Sequence, residues 1–257
     1  MNRAVLRLVA VATLSMAMAA CTSSSAETPE PTASAGLDTG ADCPGLAEQG
    51  RRIVFGQPLG TELGGLVLGT GSTGVVLAHM AGGDVCQWLP YGRELADRGY
   101  RVLAFDFAGS GSSPGSGVSR AEQVQAAAAT LRAEGASRTV LMGGSMGATS
   151  VLAATPTLNP APAAVVALSP PTAYGDADAS TAAPKITVPV FYGAGELEAN
   201  FPDAARQLYN ATPKTTQRQL VLAPSNQHGL FLVDPGTGEA GIRDQVKAFL
   251  DRHAPTA

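Results

Sequence analysis

The sequence predicts an α/β layered domain: a mostly parallel, twisted sheet with helices on both faces. Six near-continuous apolar runs, at 75–78, 102–105, 139–142, 164–168, 188–191 and 219–222, have the pattern of strands buried on both faces. Between them, 87–99, 120–135, 146–155, 202–211 and 241–253 carry helical spacing, and Gly99 and Gly135 stand where two of those helices would stop. Strands and helices in alternation need right-handed crossovers, which place helices on both faces of one sheet.

The chain opens on different material. Arg3 and Arg7 precede an apolar run at 9–20 that is too short to span a bilayer comfortably, so residues 1–20 are expected to be an export signal. Ala17-Met18-Ala19 fits the small-x-small rule for ordinary cleavage. Met18-Ala19-Ala20-Cys21 resembles a bacterial lipobox, with Met18 where leucine is commonest, and in that case Cys21 becomes the lipidated N-terminus. The cysteine count supports lipidation, because setting Cys21 aside leaves Cys43 and Cys86, an even pair suited to an oxidising compartment. The expectation is an exported protein held at the cell membrane by lipid on Cys21 alone, with simple secretion as the alternative.

Residues 21–42 shift to Ser, Thr, Pro, Glu, Ala and Gly, which bury too little apolar surface to offset the entropy of ordering, and are expected to form a disordered tether. The folded domain is then expected over 43–257. Its 52–55 and 61–68 segments are expected to add an antiparallel pair at the entry edge of the sheet. The whole chain has 257 residues, 45% of them hydrophobic and 15% charged, which suits a globular protein. With a formal net charge of -4 and scattered Lys and Arg, it lacks the basic footprint of a nucleic-acid binder.

In open α/β sheets, chemistry gathers past the carboxyl ends of the strands. After 139–142 the chain reads Gly143-Gly144-Ser145-Met146-Gly147 and then turns helical. Strand, tight turn and helix around Gly-x-Ser-x-Gly is the context of a nucleophile elbow. Glycines two residues to either side of Ser145 let strand and helix pack closely, and the helix N-terminus favours a developing oxyanion. A serine hydroxyl needs a base. Of the three histidines, His253 lies among charged residues in the last helix and His79 ends a strand. His228, in the loop after the last β run, is placed to be the base. The base needs an acid to fix its tautomer, and the strand end after 188–191 supplies Glu196 and Glu198.

The order Ser145, Glu198, His228 across successive strand ends resembles the α/β-hydrolase superfamily, over nearly everything from Arg51 onward. The resemblance implies the α/β-hydrolase fold and a catalytic triad of Ser145, His228 and Glu198. The family's acid commonly stands three residues after a glycine, which maps onto Glu198 from Gly195, with Glu196 as the alternative acid. Aspartate is the family's usual acid. The stretch from Asp106 to Ser113 resembles the family's Asp-x-x-Gly-x-Gly-x-Ser loop, which shapes a turn. His79-Met80-Ala81 resembles its His-Gly-x segment, with Met80 in the glycine position. By position the oxyanion-hole donors would be the backbone N–H groups of Ala81 and Met146, and His79 would brace the loop.

Cys86 follows that loop and Cys43 precedes the first strand, so a disulfide between them would pin the N-terminal arm near the site. No cofactor or metal is expected: three scattered histidines offer no ligand spacing, and Gly109-x-Gly111 is not followed by a helix. Only residues 169–186 separate two strand runs where relatives with lids insert a long segment, so no full cap domain is expected. The expected activity is esterase-like cleavage of esters or thioesters, on small-molecule or polymer-attached acyl substrates. A peptidase or amidase using the same triad, and a non-catalytic binding module at the cell envelope, are the alternatives.

Overall fold

The computed structural model describes residues 36–238 and 240–256. The expected export signal, Cys21 and the tether up to residue 35 lie outside the described residues. In chain order the elements are α1 (Pro44–Ala47), β1 (Arg51–Phe55), β2 (Leu63–Leu68), β3 (Thr73–Ala78), α2 (Leu89–Asp97), β4 (Arg101–Phe105), α3 (Arg120–Ala133), β5 (Arg138–Gly144) and α4 (Met146–Ala154). They continue with β6 (Ala164–Leu168), β7 (Ala173–Tyr174), β8 (Ala177–Asp178), α5 (Ala179–Ala182), β9 (Val190–Gly195), α6 (Phe201–Ala211), β10 (Arg218–Ala223) and α7 (Ala240–His253).

Eight strands form one sheet in the order β1-β2-β4-β3-β5-β6-β9-β10. β1 pairs antiparallel with β2, and β2 with β4, while the strands from β4 through β3 to β10 are parallel. The β1–β2 hairpin lies at the edge beyond β4, where the antiparallel pair is expected from the segments 52–55 and 61–68.

Two apolar clusters lie on opposite faces of the sheet. One packs α2 and α7 through Tyr91, Leu95, Val246 and Phe249. The other packs α3, α4 and α6 through Val124, Leu131, Val151 and Leu208. The central strands send buried side chains to both, and their sequences are apolar throughout for that reason. β10 departs from expectation: most of it is only half-buried, because it is the last strand of the sheet and Leu220 and Val221 pack at the cluster margins.

α3 starts at a capping box in which the Ser119 side chain accepts from the Glu122 N–H and the Glu122 carboxylate accepts from the Ser119 N–H. The segment between β6 and β9 holds only the β7–β8 ribbon, α5 and a short turn at Ala183–Lys185, so no large cap covers the sheet. Thr39, placed by the sequence at the end of the tether, is buried and its hydroxyl bonds that of Ser112 at 2.8 Å.

The strand order reverses at β3 and β4: β4 lies on one side of β3 and β5 on the other. Crevices form outside the carboxyl ends of strands at such a reversal. Ala78 is in register with Gly143, Gly144 with Leu168, Leu168 with Gly193, and Gly195 with Ala223. The ends of β3, β5, β6, β9 and β10 are therefore level, and the loops leaving them share one edge.

Candidate active site

Ser145 stands between the last residue of β5 and the first of α4, with a φ of 49°, a left-handed value that costs a non-glycine residue about 1–3 kcal/mol. Two contacts hold it there: its N–H donates to Leu168 O at 2.8 Å, and its carbonyl accepts the Thr149 N–H at 3.0 Å. The flanking glycines are required by space. A Cβ on Gly147 would lie 2.1 Å from Ala78 O, and one on Gly143 would lie 2.4 Å from the Gly147 carbonyl carbon. The Ser145 hydroxyl makes no hydrogen bond among the described residues. Met146, the first residue of α4, has an N–H with no partner inside the helix.

The loop after β10 brings His228 to this turn. A Cβ on the next residue, Gly229, would stand 3.4 Å from Ser145 N, so the two backbones are neighbours. His228 Nδ1 is 2.5 Å from Glu198 Oε2. The acid side chain is 3% exposed and the imidazole 32%, so the pair is buried on the carboxylate side and open on the other. A carboxylate on Nδ1 sets the tautomer with the proton there and leaves Nε2 as the acceptor. Nε2 makes no hydrogen bond among the described residues. The imidazole packs against the Phe201 ring at a tilt of 56°, with 4.3 Å between centroids.

Glu198 is held on its other oxygen as well. Oε1 accepts the Gly195 N–H at 2.6 Å and the Ser169 hydroxyl at 2.7 Å. Glu196, the alternative acid, is exposed and its side chain makes no hydrogen bond among the described residues. Of the two carboxylates at this strand end, only Glu198 meets the imidazole.

The loop after β3 closes the other side. His79 is fully buried, with Nδ1 2.8 Å from Met80 O and Nε2 accepting the Phe107 N–H at 3.0 Å. Those partners need the neutral ring with its proton on Nδ1. Burial, the largest influence, pushes the His79 pKa down. Its ring therefore ties β3 to the residue after Asp106 and braces the loop. Gln87 Oε1 accepts the Met80 N–H at 3.1 Å, and the Trp88 indole N–H donates to Ala78 O at 2.9 Å. Ala81 is exposed at the loop tip, and its N–H has no acceptor among the described residues.

A disulfide joins Cys43 to Cys86, fastening the N-terminal arm to the short turn Val85–Trp88 that carries Gln87 and Trp88. Asp106 is fully buried. Its carboxylate accepts from Val85 N at 2.7 Å and from the Ser112 N–H and hydroxyl at 2.8 and 2.9 Å, which builds the turn.

Ser145, His228 and Glu198 thus lie along one sheet edge, past the ends of β5, β10 and β9, with Glu198 bonded to His228 and the His228 loop against the Ser145 turn. Ser169 and Gln87 carry no motif that marks them along the chain. Ser169 stands just past the apolar run 164–168, where the strand-end rule points, but no glycine spacing marks it.

The family model described as "Alpha/beta hydrolase family" matches residues 75–255. No curated protein matches the sequence. Among solved structures, the Pyrococcus furiosus esterase Pf2001 superposes with a TM-score of 0.69 at 18% identity, over 82% of this chain and 95% of that one. The Paleococcus ferrophilus monoacylglycerol lipase gives 0.62 at 21% identity, over 74% and 99%. A Mycobacterium smegmatis proline iminopeptidase gives 0.64 at 13% identity, over 79% and 98%. At these identities the structures establish a shared fold.

Proposed function

The chain belongs to the alpha/beta hydrolase family, and from that premise we propose that it is a serine hydrolase cleaving carboxylic esters or thioesters through an acyl-serine intermediate. Ser145 is the nucleophile of an elbow turn, His228 the general base and Glu198 the acid. The observation that carries this reading is the Glu198–His228 hydrogen bond beside the Ser145 turn, because an imidazole held by its Nδ1 keeps Nε2 for a serine proton.

As Ser145 Oγ attacks the acyl carbon, its proton passes to His228 Nε2. Charge develops on the carbonyl oxygen, and the N–H groups of Met146 and Ala81 receive it. Collapse breaks the bond to the alkoxide or thiolate leaving group, which takes the proton back from Nε2. Water then gives a proton to Nε2, attacks the acyl-serine and releases the acid, and Ser145 recovers its proton. Glu198 stays ionised throughout and stabilises the imidazolium.

The short segment between β6 and β9 supports an open entrance that admits bulky or polymer-attached acyl groups. The same machinery on an amide is the competing reading, and the likeness to a proline iminopeptidase keeps it in view. The test is turnover of p-nitrophenyl esters against aminoacyl anilides. Faster ester turnover that Ser145→Ala abolishes is expected, and preferential anilide turnover would move the assignment to an amidase. No turnover of either by folded protein would favour a binding module.

Residues 1–20 are proposed to direct export, and Cys21 to carry the lipid that holds the folded domain at the membrane through a tether that ends before the buried Thr39. Metabolic labelling with an alkyne fatty acid tests this: label on the wild type and none on Cys21→Ala is the expected result.

A further inference from the structure

The carboxyl end of β6 touches the serine turn, the acid and the residue after the base. Leu168 O accepts the Ser145 N–H at 2.8 Å, and the next residue, Ser169, donates its own N–H to Gly193 O at 2.6 Å. Ser169 is fully buried, with a φ of 47° in the left-handed region that favours glycine. A turn needing only that backbone would be better served by glycine, so the hydroxyl is the feature to explain. It donates to Glu198 Oε1 at 2.7 Å and accepts the Gly229 N–H at 2.9 Å. A hydroxyl has one proton, and with Gly229 on the acceptor side that proton is directed at the carboxylate.

One oxygen atom therefore joins the acid to the residue following the base. Glutamate has one more rotatable bond than aspartate, so a glutamate acid needs lateral support to hold its reach. Ser169 Oγ and Gly195 N supply it on Oε1 and leave Oε2 facing His228 Nδ1.

We infer that Ser169 is a positioning residue of the hydrolase site: its buried hydroxyl fixes Glu198 in register with the His228 loop and acts on catalysis through that pair. This rests on the serine hydrolase reading above. The effect should fall on the chemical step, because Ser169 is buried beneath the acid, out of reach of substrate.

The test uses the full chain with Ser169→Ala and Ser169→Gly, each alone and with Glu198→Gln. Two readouts are taken: kcat and KM on a p-nitrophenyl ester, and the far-downfield proton resonance of His228 Nδ1–H. Both single variants are expected to lose about tenfold to a hundredfold in kcat with KM nearly unchanged, and to shift or broaden the resonance. Glycine relieves the backbone at this position, so its kcat loss will come without a loss of folding. In the Glu198→Gln background the further loss should vanish, because Ser169 acts through the carboxylate.

Unchanged kcat and an unchanged resonance in Ser169→Gly would overturn the inference. So would an equal fold-loss with and without Glu198→Gln, which marks a general structural effect. If the wild type turns over neither ester nor anilide, the hydrolase reading falls, and the resonance still decides: a shift in Ser169→Gly upholds the positioning of the pair, and no shift overturns it.

Discussion

Met80 packs against Gly229 so closely that a Cβ on that glycine would stand 2.4 Å from the Met80 sulfur. Met80 Cγ would also lie 3.1 Å from a Cβ on Gly144. The Met80 side chain is thus a wall between the serine turn and the histidine loop, and the two loops approach each other through glycines.

Gly229→Ala should therefore be costly twice over, by collision with Met80 and by its φ of 58°. A destabilisation of about 1–3 kcal/mol is expected, with a more than proportionate loss of activity as His228 is displaced. Adding Met80→Ala relieves the collision and recovers part of both. Thermal melts and kcat/KM on the two variants check this.

The two carboxylates after β9 should separate cleanly. Glu198→Gln keeps the shape but removes the charge opposite the imidazolium, and a kcat loss of about 10³ to 10⁴ is expected. Glu196→Gln, at an exposed site, should stay within about twofold of wild type. Steady-state kinetics on the pair distinguish the acids directly.

The sheet was legible in the sequence because strands buried on both faces leave unbroken apolar runs, and because Gly99 and Gly135 end helices where left-handed backbone is needed. The Ser145 turn was legible because close packing demands glycine at both 143 and 147. Strand-end position alone left Glu196 and Glu198 equal and the family resemblance favoured Glu198; the turn that folds Glu198 back onto the Gly195 N–H is what brings it to the imidazole. Ser169 stood at a strand end but its role was not legible, because it depends on contacts with residues 29 and 60 positions away. β10 showed the limit of an apolar run as evidence, which reports strand character but not a place at the sheet edge.

His79 gives a pH dependence of stability. Burial lowers its pKa below the ordinary 6.5, against the opposing charges of Asp106 and Asp84 and with the help of Arg120. Below pH 6.5 the unfolded chain takes up a proton that the folded one resists, so this group's contribution is fully present above 6.5 and falls as the pH drops through the window between 6.5 and the lower folded value. Denaturant midpoints measured down that window should fall more steeply for wild type than for His79→Gln.

Removing the disulfide should loosen the arm and the turn beneath the Ala81 loop. The bridge closes a separation of 43 residues, and its loss is expected to cost about 2–4 kcal/mol. Melting the Cys43→Ser, Cys86→Ser double variant beside the wild type measures this.

The central claim is that Ser145 is an activated nucleophile, and a fluorophosphonate probe tests it most directly. Intact-mass and peptide mapping should find one adduct on Ser145, formed in the wild type, abolished by Ser145→Ala and strongly slowed by His228→Ala. Folded wild-type protein that gains no adduct, or gains it on another residue, would contradict the account.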